Sequence, residues 1–272
     1  MKMTKMKNNL IERHTRDKSF MLFLSFVLLS ANIAAQNGDD KRKNLDWYLN
    51  LGINIGGSMP IPLPEEVRKI ESYNPKINPH IGLLTIYNIN DKWGIGTELS
   101  IGNKGMRVTD RVKYMHTKVL VSDKNSQEKR EVDGYFIGKN MTNVSIQYLS
   151  LSISGVYSFN EKWEAKLGLY AASLGKTKFT GNVSDGYLRD GAPNGPMVVI
   201  EKDNPATFDF SDNMRDFDAG IIIGGKYNIN DRIGAIANLN WGLTDIFYRD
   251  QNPIEFKMQN IYATFGVSYK IK

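Results

Sequence analysis

The sequence of 272 residues contains no cysteine, only three histidines and little continuous apolar sequence. The lack of cysteine excludes a disulfide scaffold, thiolate metal sites, cysteine catalysis and lipid attachment through an N-terminal cysteine. The main apolar run, residues 20–29, has about ten residues, whereas a membrane-spanning helix needs about 20. The sequence therefore does not encode a helical membrane protein.

The excess of basic charge lies mostly in the first 35 residues. The chain has 35 Lys and Arg against 29 Asp and Glu, a net charge of +6. Six basic and two acidic residues fall within 1–35, so the other 237 residues carry 29 basic and 27 acidic groups, a net charge of only +2. This balance leaves no clustered basic face, and we expect no nucleic-acid partner.

The same 35 residues have the order of an export signal. Basic residues precede the apolar run, and small residues follow it up to Ala35. These are the n-region, h-region and cleavage site of a signal peptide. We predict that 1–35 is a signal peptide cleaved near Ala35, that 36–45 is a short periplasmic segment, and that the protein is exported to the outer membrane.

After Gln36 apolar and polar residues alternate with a period of two, which is typical of β-strands. Each alternating segment has about ten residues, enough to cross about 25 Å at a rise of about 3.3 Å and a tilt of roughly 40°. We predict an all-β domain over 46–272, an eight-stranded antiparallel up-and-down transmembrane barrel. The predicted strands are 47–56, 81–89, 93–102, 148–157, 163–170, 218–227, 233–242 and 261–271.

Short and long connections alternate along the chain. In an up-and-down barrel this places the long loops at one end, and the short turns with both chain ends at the other. Outer-membrane barrels have this asymmetry, with short periplasmic turns and long extracellular loops. The short turns are 88–92, 160–162 and 228–232, and the long loops are 58–78, 104–144, 174–215 and 244–259.

Alternation alone leaves two kinds of barrel open: a membrane barrel with its apolar face outward, and a secreted ligand carrier such as a lipocalin with that face inward. The aromatic residues of the apolar face favour the membrane barrel. They lie near the short-turn end, where a lipid interface selects amphipathic rings, and we expect them to contact outer-membrane lipid. The predicted interfacial girdle is Trp47, Tyr87, Trp93, Tyr157, Trp163, Tyr227 and Tyr269.

The opposite face of the strands is small and polar, and it carries three carboxylates and three ammonium groups. Buried charges persist only when they are paired and hydrogen-bonded, so we expect a mixed polar network in the lumen that includes Tyr148, Tyr170 and Asn240. Asp218 and Lys270 lie near strand ends, and hydration is the alternative for these two. The predicted network is Glu98, Glu164, Lys166, Asp218, Lys226 and Lys270.

Candidate catalytic residues are few. A serine hydrolase would need His80 or His116 beside a serine and a carboxylate, but His80 falls at the predicted rim and His116 in a predicted long loop. Nothing in the sequence pairs them with the serines of the fourth strand, so we interpret both as solvated and expect no enzyme. These serines are Ser150, Ser152 and Ser154.

Four aspartates between 209 and 218 could supply oxygen ligands, but they lack the ordered spacing and central glycine of a calcium loop. We interpret Asp209, Asp212, Asp216 and Asp218 as a solvated acidic loop and predict no metal and no cofactor. The mixed charges of 124–131 indicate a solvated surface, and 119–121 could extend a hairpin above the membrane. The Gly- and Pro-rich 191–196 indicates a turn rather than a phosphate cradle.

Three stretches carry a resemblance to a known family: 96–100 followed by 103–105, 147–151, and 240–246. They resemble a Glu-Leu strand ending in a Lys-Gly step, a Tyr-Leu-x-hydrophobic strand and a Gly-Leu-Thr-Asn-Ile strand end of the outer-membrane β-barrel domain proteins of Bacteroidetes-type bacteria, the group that includes the PorT-like proteins. The resemblance covers about 46–272. It implies an eight-stranded porin-family barrel with no shared catalytic residues, although Ser150 replaces an often acidic residue.

The sequence thus favours a non-enzymatic outer-membrane protein, an envelope structural or binding module that uses loops 104–144 and 174–215. Its expected partners are outer-membrane lipid and an extracellular ligand or envelope protein. The alternative is a porin-like pore or a component of a transport or secretion machine. Eight strands disfavour a pore, because side chains just fill so narrow a lumen.

Overall fold

Most of the described residues of the computed structural model, 44–122, 129–248, 253–254 and 256–272, are in β-strands. The predicted signal peptide lies outside these residues. Residues from Asp46 to Lys272 form one compact unit. The strands are β1 (Leu45–Pro60), β2 (Val67–Pro75), β3 (Pro79–Asn88), β4 (Trp93–Ser122), β5 (Lys129–Ser158), β6 (Trp163–Asp190), β7 (Met197–Ile200), β8 (Ala206–Asp209), β9 (Phe217–Asn228), β10 (Ile233–Gly242) and β11 (Met258–Lys270), with a short 3₁₀ helix at Ser211–Asn213.

Eight of these strands close into a ring. Their order around it is β1, β3, β4, β5, β6, β9, β10 and β11, and β11 pairs with β1. Neighbouring strands are antiparallel, and each of the eight predicted segments matches one strand of the ring to within one residue at its C-terminal end or lies inside it. The predicted eight-stranded all-β barrel is confirmed.

Three short turns share one local structure at one end of the barrel, which we call the short-turn end. Asn90, Asn160 and Asn230 occupy equivalent positions, each two residues after the end of a strand. The side-chain oxygen of each accepts hydrogen bonds of 2.8 to 3.0 Å from the backbone N–H groups two and three residues later. This is how an Asn side chain stabilises a tight reversal of the chain.

At the opposite end the predicted long loops 104–144 and 174–215 are corrected by the structure. β4 and β5 each have 30 residues and β6 has 28, so most of 104–144 and the first part of 174–215 continue the barrel strands. β7 and β8 pair with β6, and β8 also reaches β4 through Leu120 and Thr207. We call this part, residues 105–122, 129–146 and 175–209 together with β2, the extension.

Where the barrel meets the extension, the outward face of the strands changes from apolar to polar and the inward face from polar to apolar. On β4 and β5 this height is marked by the cross-strand pair Asn103 and Gln147. Below it the outward face is apolar and exposed, as at Ile101, and above it the outward face is polar and charged, as at Arg107. Lipid around the lower part and water around the upper part explain the exchange, because apolar side chains are stable outward only in lipid.

The inward face changes in the opposite sense. β5 buries every second residue from Val132 to Val156 without interruption. Within the barrel three of these residues are serines, whereas in the extension they include Phe136, Val144 and Ile146, which are fully buried in an apolar core. The extension is therefore a folded structure with its own core above a polar lumen.

Candidate functional site

Glu98 lies at the centre of the lumen, buried between strands on opposite sides of the ring. Its carboxylate accepts a hydrogen bond of 2.9 Å from the Asn50 amide and lies 3.2 Å from the Lys166 ammonium. The Nε2 atom of His80 lies 3.4 Å from the same carboxylate. Three strands thus contribute partners to one buried charge.

Towards the short-turn end a second ion pair joins Glu164 and Lys226, with 3.0 Å between nitrogen and oxygen. The Lys226 ammonium also lies 4.0 Å from the centre of the Tyr48 ring, a cation–π contact. Lys270 pairs with Asp46 at 2.7 Å, and its side chain is 35% exposed. The members of this layer are more hydrated than Glu98.

Towards the extension, Asp218 forms a third buried site. Its carboxylate lies 3.3 Å from the Lys104 ammonium and accepts hydrogen bonds from Tyr170 at 3.1 Å and Thr244 at 2.8 Å. Asn260 donates another at 3.2 Å. Lys104 also lies within 5.6 Å of the ring centres of Tyr148, Tyr170 and Tyr262.

The structure therefore brings the six predicted lumen residues into four ion pairs, two of which use partners that sequence reasoning missed. Lys104 and Asp46 each continue the polar alternation of their strand by one step, beyond Gly102 and before Tyr48. Extending the predicted strands by two residues would have found both. The hydration predicted as an alternative for Asp218 is wrong, since the residue is 1% exposed and fully hydrogen-bonded.

The predicted polar partners of this network also face the lumen. The Tyr148 hydroxyl accepts a 2.9 Å hydrogen bond from Asn54, and Asn240 donates to Thr264 at 3.1 Å. Two voids between the lumen side chains have volumes of about 20 Å³ each. Each is large enough for about one water molecule, so the lumen around them is filled.

Of the two histidines, His80 is not solvated as predicted, whereas His116 is partly exposed but lies on a strand rather than in the predicted loop. His80 is 8% exposed and lies in the lumen, with Nδ1 2.8 Å from the Tyr148 hydroxyl. His116 lies on β4 within the extension, 3.0 Å from Asp133 and with its ring edge-on to Tyr135. His80 faces inward on β3, whereas His116 is on the outward face of β4, between the inward-facing Met115 and Thr117.

His80 is not part of a Ser–His–acid triad, because its ring nitrogens contact a tyrosine and a glutamate. Ser150, which faces the same part of the lumen, donates its hydroxyl to the carbonyl of Ala171 at 3.3 Å. Ser152 and Ser154 lie further along the same inward face. No described arrangement activates a serine as a nucleophile.

The four aspartates of the predicted acidic loop are separated. Asp218 is in the lumen, Asp209 accepts the backbone N–H of Ser211 and Asp216 accepts the Tyr248 hydroxyl. Across the described ranges no group of three or more His, Asp or Glu side chains could hold a metal, and no described helix is long and apolar enough to cross a membrane.

Residues 191–196 form the predicted turn, where Gly191 has φ +74°. Within 124–131, residues 129–131 are exposed, and 124–128 lies outside the described residues.

The predicted girdle residues lie on the outward face near the short-turn end. Trp93 packs against Tyr157 and Trp163 against Tyr227, with ring centres 4.7 and 4.8 Å apart. Both tryptophans are more than half exposed. Tyr87 and Tyr269 are exposed, while Trp47, Tyr157 and Tyr227 are partly exposed. Their contact with lipid headgroups stays a prediction.

The outward face of the extension carries a network of ion pairs beside some exposed apolar residues such as Ile70 and Val199. Arg111 donates to Glu71 at 2.8 Å and to Asp185 at 2.9 Å, which ties β4 to β2 and β6. Lys139 lies 3.4 Å from the same glutamate. The hydrogen bond from Arg111 lowers the pKa of Glu71. Such a face suits contact with water and with polar partners.

Comparison with solved structures returns outer-membrane barrels at low similarity. The attachment invasion locus protein Ail of Yersinia pestis, in complex with the heparin analogue sucrose octasulfate, is 10% identical, with 84% of this chain and 97% of that chain covered at a TM-score of 0.35. The outer membrane protein OprG of Pseudomonas aeruginosa is 10% identical, with 83% and 95% covered at 0.34. The translocator domain of the autotransporter NalP of Neisseria meningitidis is 11% identical, with 93% and 97% covered at 0.25. These values carry no information on function.

At the sequence level, no curated protein matches this chain. A family model described as the outer membrane protein beta-barrel domain does match, over residues 34–248. The match spans seven of the eight strands of the ring and most of the extension. The chain therefore belongs to the family of outer membrane protein β-barrel domains.

Proposed function

We propose that this protein is a non-enzymatic binding module, which uses the extension to hold an extracellular ligand or another envelope protein. The observation that carries this proposal is the continuation of three barrel strands into a cored structure above the height of Asn103 and Gln147. A barrel needs only about ten residues a strand to cross the membrane. The remaining residues of β4, β5 and β6 serve no purpose in crossing it.

The difference between the short-turn end and the extension also supports an orientation in the outer membrane. We infer that the short-turn end faces the periplasm and the extension faces the outside, with the signal peptide removed near Ala35. Within the family, the stretches 96–105, 147–151 and 240–246 favour the PorT-like group of Bacteroidetes-type bacteria. Lipid of the outer membrane is the partner of the apolar belt and its aromatic girdle.

The filled lumen favours binding over the alternative of a pore. Four carboxylates pair with four ammonium groups across it, and the voids near Glu98 and Glu164 are the size of a water molecule. An open porin channel is lined by hydrated charges and needs many more strands. Conduction here would require breaking several buried ion pairs.

Planar-bilayer recording of the purified, refolded barrel tests this part of the proposal. We expect no stable channel, because the charge pairs occupy the cross-section of the lumen. A reproducible conductance of the size of a porin channel would contradict the proposal and restore the pore as the better function. A general porin inserted in the same bilayer controls for successful insertion.

Photo-crosslinking on intact cells tests the binding part. We expect a crosslinker at Tyr135, on the outward face of the extension, to capture a protein or glycan that does not belong to the barrel. A crosslinker at Tyr157 in the girdle should capture lipid alone. Capture of the same partner only from Glu161, in a short turn, would place binding on the other side of the membrane and refute the proposal.

A further inference from the structure

A cavity of about 340 Å³ lies inside the extension, above the Asp218 site. It is more than ten times larger than the voids of the lumen, and it falls within the range of about 300–1,000 Å³ that small-molecule pockets occupy. β1, β2, β4, β5 and β8 contribute to its wall. A well-packed protein interior rarely leaves a space of this size empty.

The wall of the cavity is mostly apolar and includes four methionines and four phenylalanines. The rings of Phe208 and Phe210 are stacked 5.1 Å apart and form a flat surface. Methionine side chains adapt their shape to a bound molecule. The cavity reaches the protein surface beside Leu63, Ile70 and Tyr73, each 43 to 56% exposed. The four methionines are Met59, Met106, Met115 and Met258.

Three of the hydrogen-bonding residues of the wall are joined to one another on β4 and β5. Asp110 and Asn140 are cross-strand neighbours on β4 and β5, and the Asn140 amide donates to Asp110 at 2.9 Å and to Thr142 at 3.2 Å. The carbonyl oxygen of Asn140 is buried and has no hydrogen-bond partner. Asn140 is only 5% exposed, so a buried acceptor without a partner is costly unless something else donates to it.

We propose that the cavity binds a small apolar molecule that carries one hydrogen-bond donor, such as an aromatic alcohol. The apolar part packs against the methionines and phenylalanines, and the donor satisfies the Asn140 carbonyl oxygen beside Asp110. The inward position of the cavity separates this site from the outward faces of the extension. Binding here does not depend on the partner of the proposed function.

The test uses methionine-methyl NMR of the protein in phosphatidylcholine nanodiscs, with 1-naphthol as the probe. We expect saturable shifts at the four lining methionines, while Met141 and Met197, which lie outside the cavity, stay unchanged. 1-Methoxynaphthalene has the same rings but cannot donate, and it should bind about tenfold more weakly, the factor that one ordinary hydrogen bond supplies. Shifts of equal size at all methionines, or equal affinity for the two probes, would overturn the proposal.

A pair of variants locates the acceptor. Asn140→Leu should weaken binding of 1-naphthol about tenfold and leave that of 1-methoxynaphthalene unchanged, because only the former uses the carbonyl oxygen. Asn143→Leu, on the outward face of the same strand, should bind both probes as the wild type does. Parallel losses for both probes in the Asn140 variant would mean a damaged cavity and count against the assigned acceptor, as would unchanged binding of 1-naphthol.

Discussion

Among individual residues, the buried charges of the lumen are the most constrained. Lys104 and Asp218 are both almost fully buried, and each has several partners besides the other. A buried pair adds little net stability over an apolar replacement, but one charge left alone is costly. Replacing one member of an ion pair in the lumen should therefore lower the free energy of unfolding strongly where the pair is deeply buried, and only slightly where water reaches it.

Replacing Lys104 by methionine should lower the free energy of unfolding by about 3 to 5 kcal/mol, because it leaves the Asp218 carboxylate buried without its counter-ion. Lys270→Met is the matched control. Its partner Asp46 is partly exposed, and we expect a loss of less than about 1 kcal/mol. Urea unfolding in lipid vesicles, followed by tryptophan fluorescence, measures both. Equal losses would contradict the difference in burial.

Asp110, in the extension above the lipid belt, should make stability depend on pH. Burial raises the pKa of its carboxyl to about 6, and the nearby charge of Glu71 adds to this. The folded state thus favours the protonated form. The associated stability is fully present below the unfolded pKa of about 4 and is lost as the pH rises through 6, by up to about 3 kcal/mol.

Asp110→Asn should remove this pH dependence between pH 4 and 8, measured as the denaturant midpoint of the extension at each pH. Asp185→Asn is the control, because Asp185 is exposed and pairs with Arg111 at the surface. A wild-type midpoint that rises towards pH 8, or an unchanged profile in the Asp110 variant, would show that its carboxyl is not buried as described.

At the scale of elements, the three Asn turns share their hydrogen bonds, and two of them, 89–91 and 229–231, also share the sequence Ile-Asn-Asp. We expect Asn230→Ala to destabilise the barrel by about 1 kcal/mol, because two backbone N–H groups lose their acceptor. Asp231→Ala removes a side chain of the same turn that accepts neither bond, and it should cost less. Unfolding midpoints of both variants, with Asn160→Ala as a repeat in a second turn, measure the difference.

The long strands show where local patterns lose their predictive value. Within the barrel the alternation was clear, and all eight strands were located. In β4 a bulge between Val112 and Met115, with Tyr114 at φ 58°, moves the inward face from even to odd residue numbers. That shift breaks the period of two, so a continuous strand resembled a loop in sequence. Cross-strand pairing with β5 maintains the strand through the bulge.

At the scale of the whole molecule, the extension should be the part that protease reaches from outside intact cells. Trypsin should cut first near Lys129 and Arg130, which are exposed at the tip of the β4–β5 hairpin. Lys92 and Lys162, in short turns, are equally exposed but should stay protected by the membrane. Mass spectrometry of the fragments identifies the cut sites. Cleavage first at the short turns would invert the topology.

The sequence by itself determined the barrel: its class, its eight strands, the direction of each face within the barrel and the three short turns. These properties follow from local periodicity and turn residues, which adjacent positions encode. It also placed Glu98, Glu164, Lys166, Asp218, Lys226 and Lys270 on the inner face. It could not pair them, because partners lie on strands far apart in sequence and their contact depends on the register.

Only the tertiary structure decided what lies above the membrane. Three features there arise from pairing between strands: the β4–β5 hairpin, the contact of β8 with β4, and the cavity between them. The sequence of a single strand does not specify which strand pairs with it. His80 illustrates the same limit, since its neighbours in sequence resemble an exposed rim while its neighbours in space, Tyr148 and Glu98, bury it. The burial of a residue depends on which strands surround it, and closure of the ring determines which strands these are.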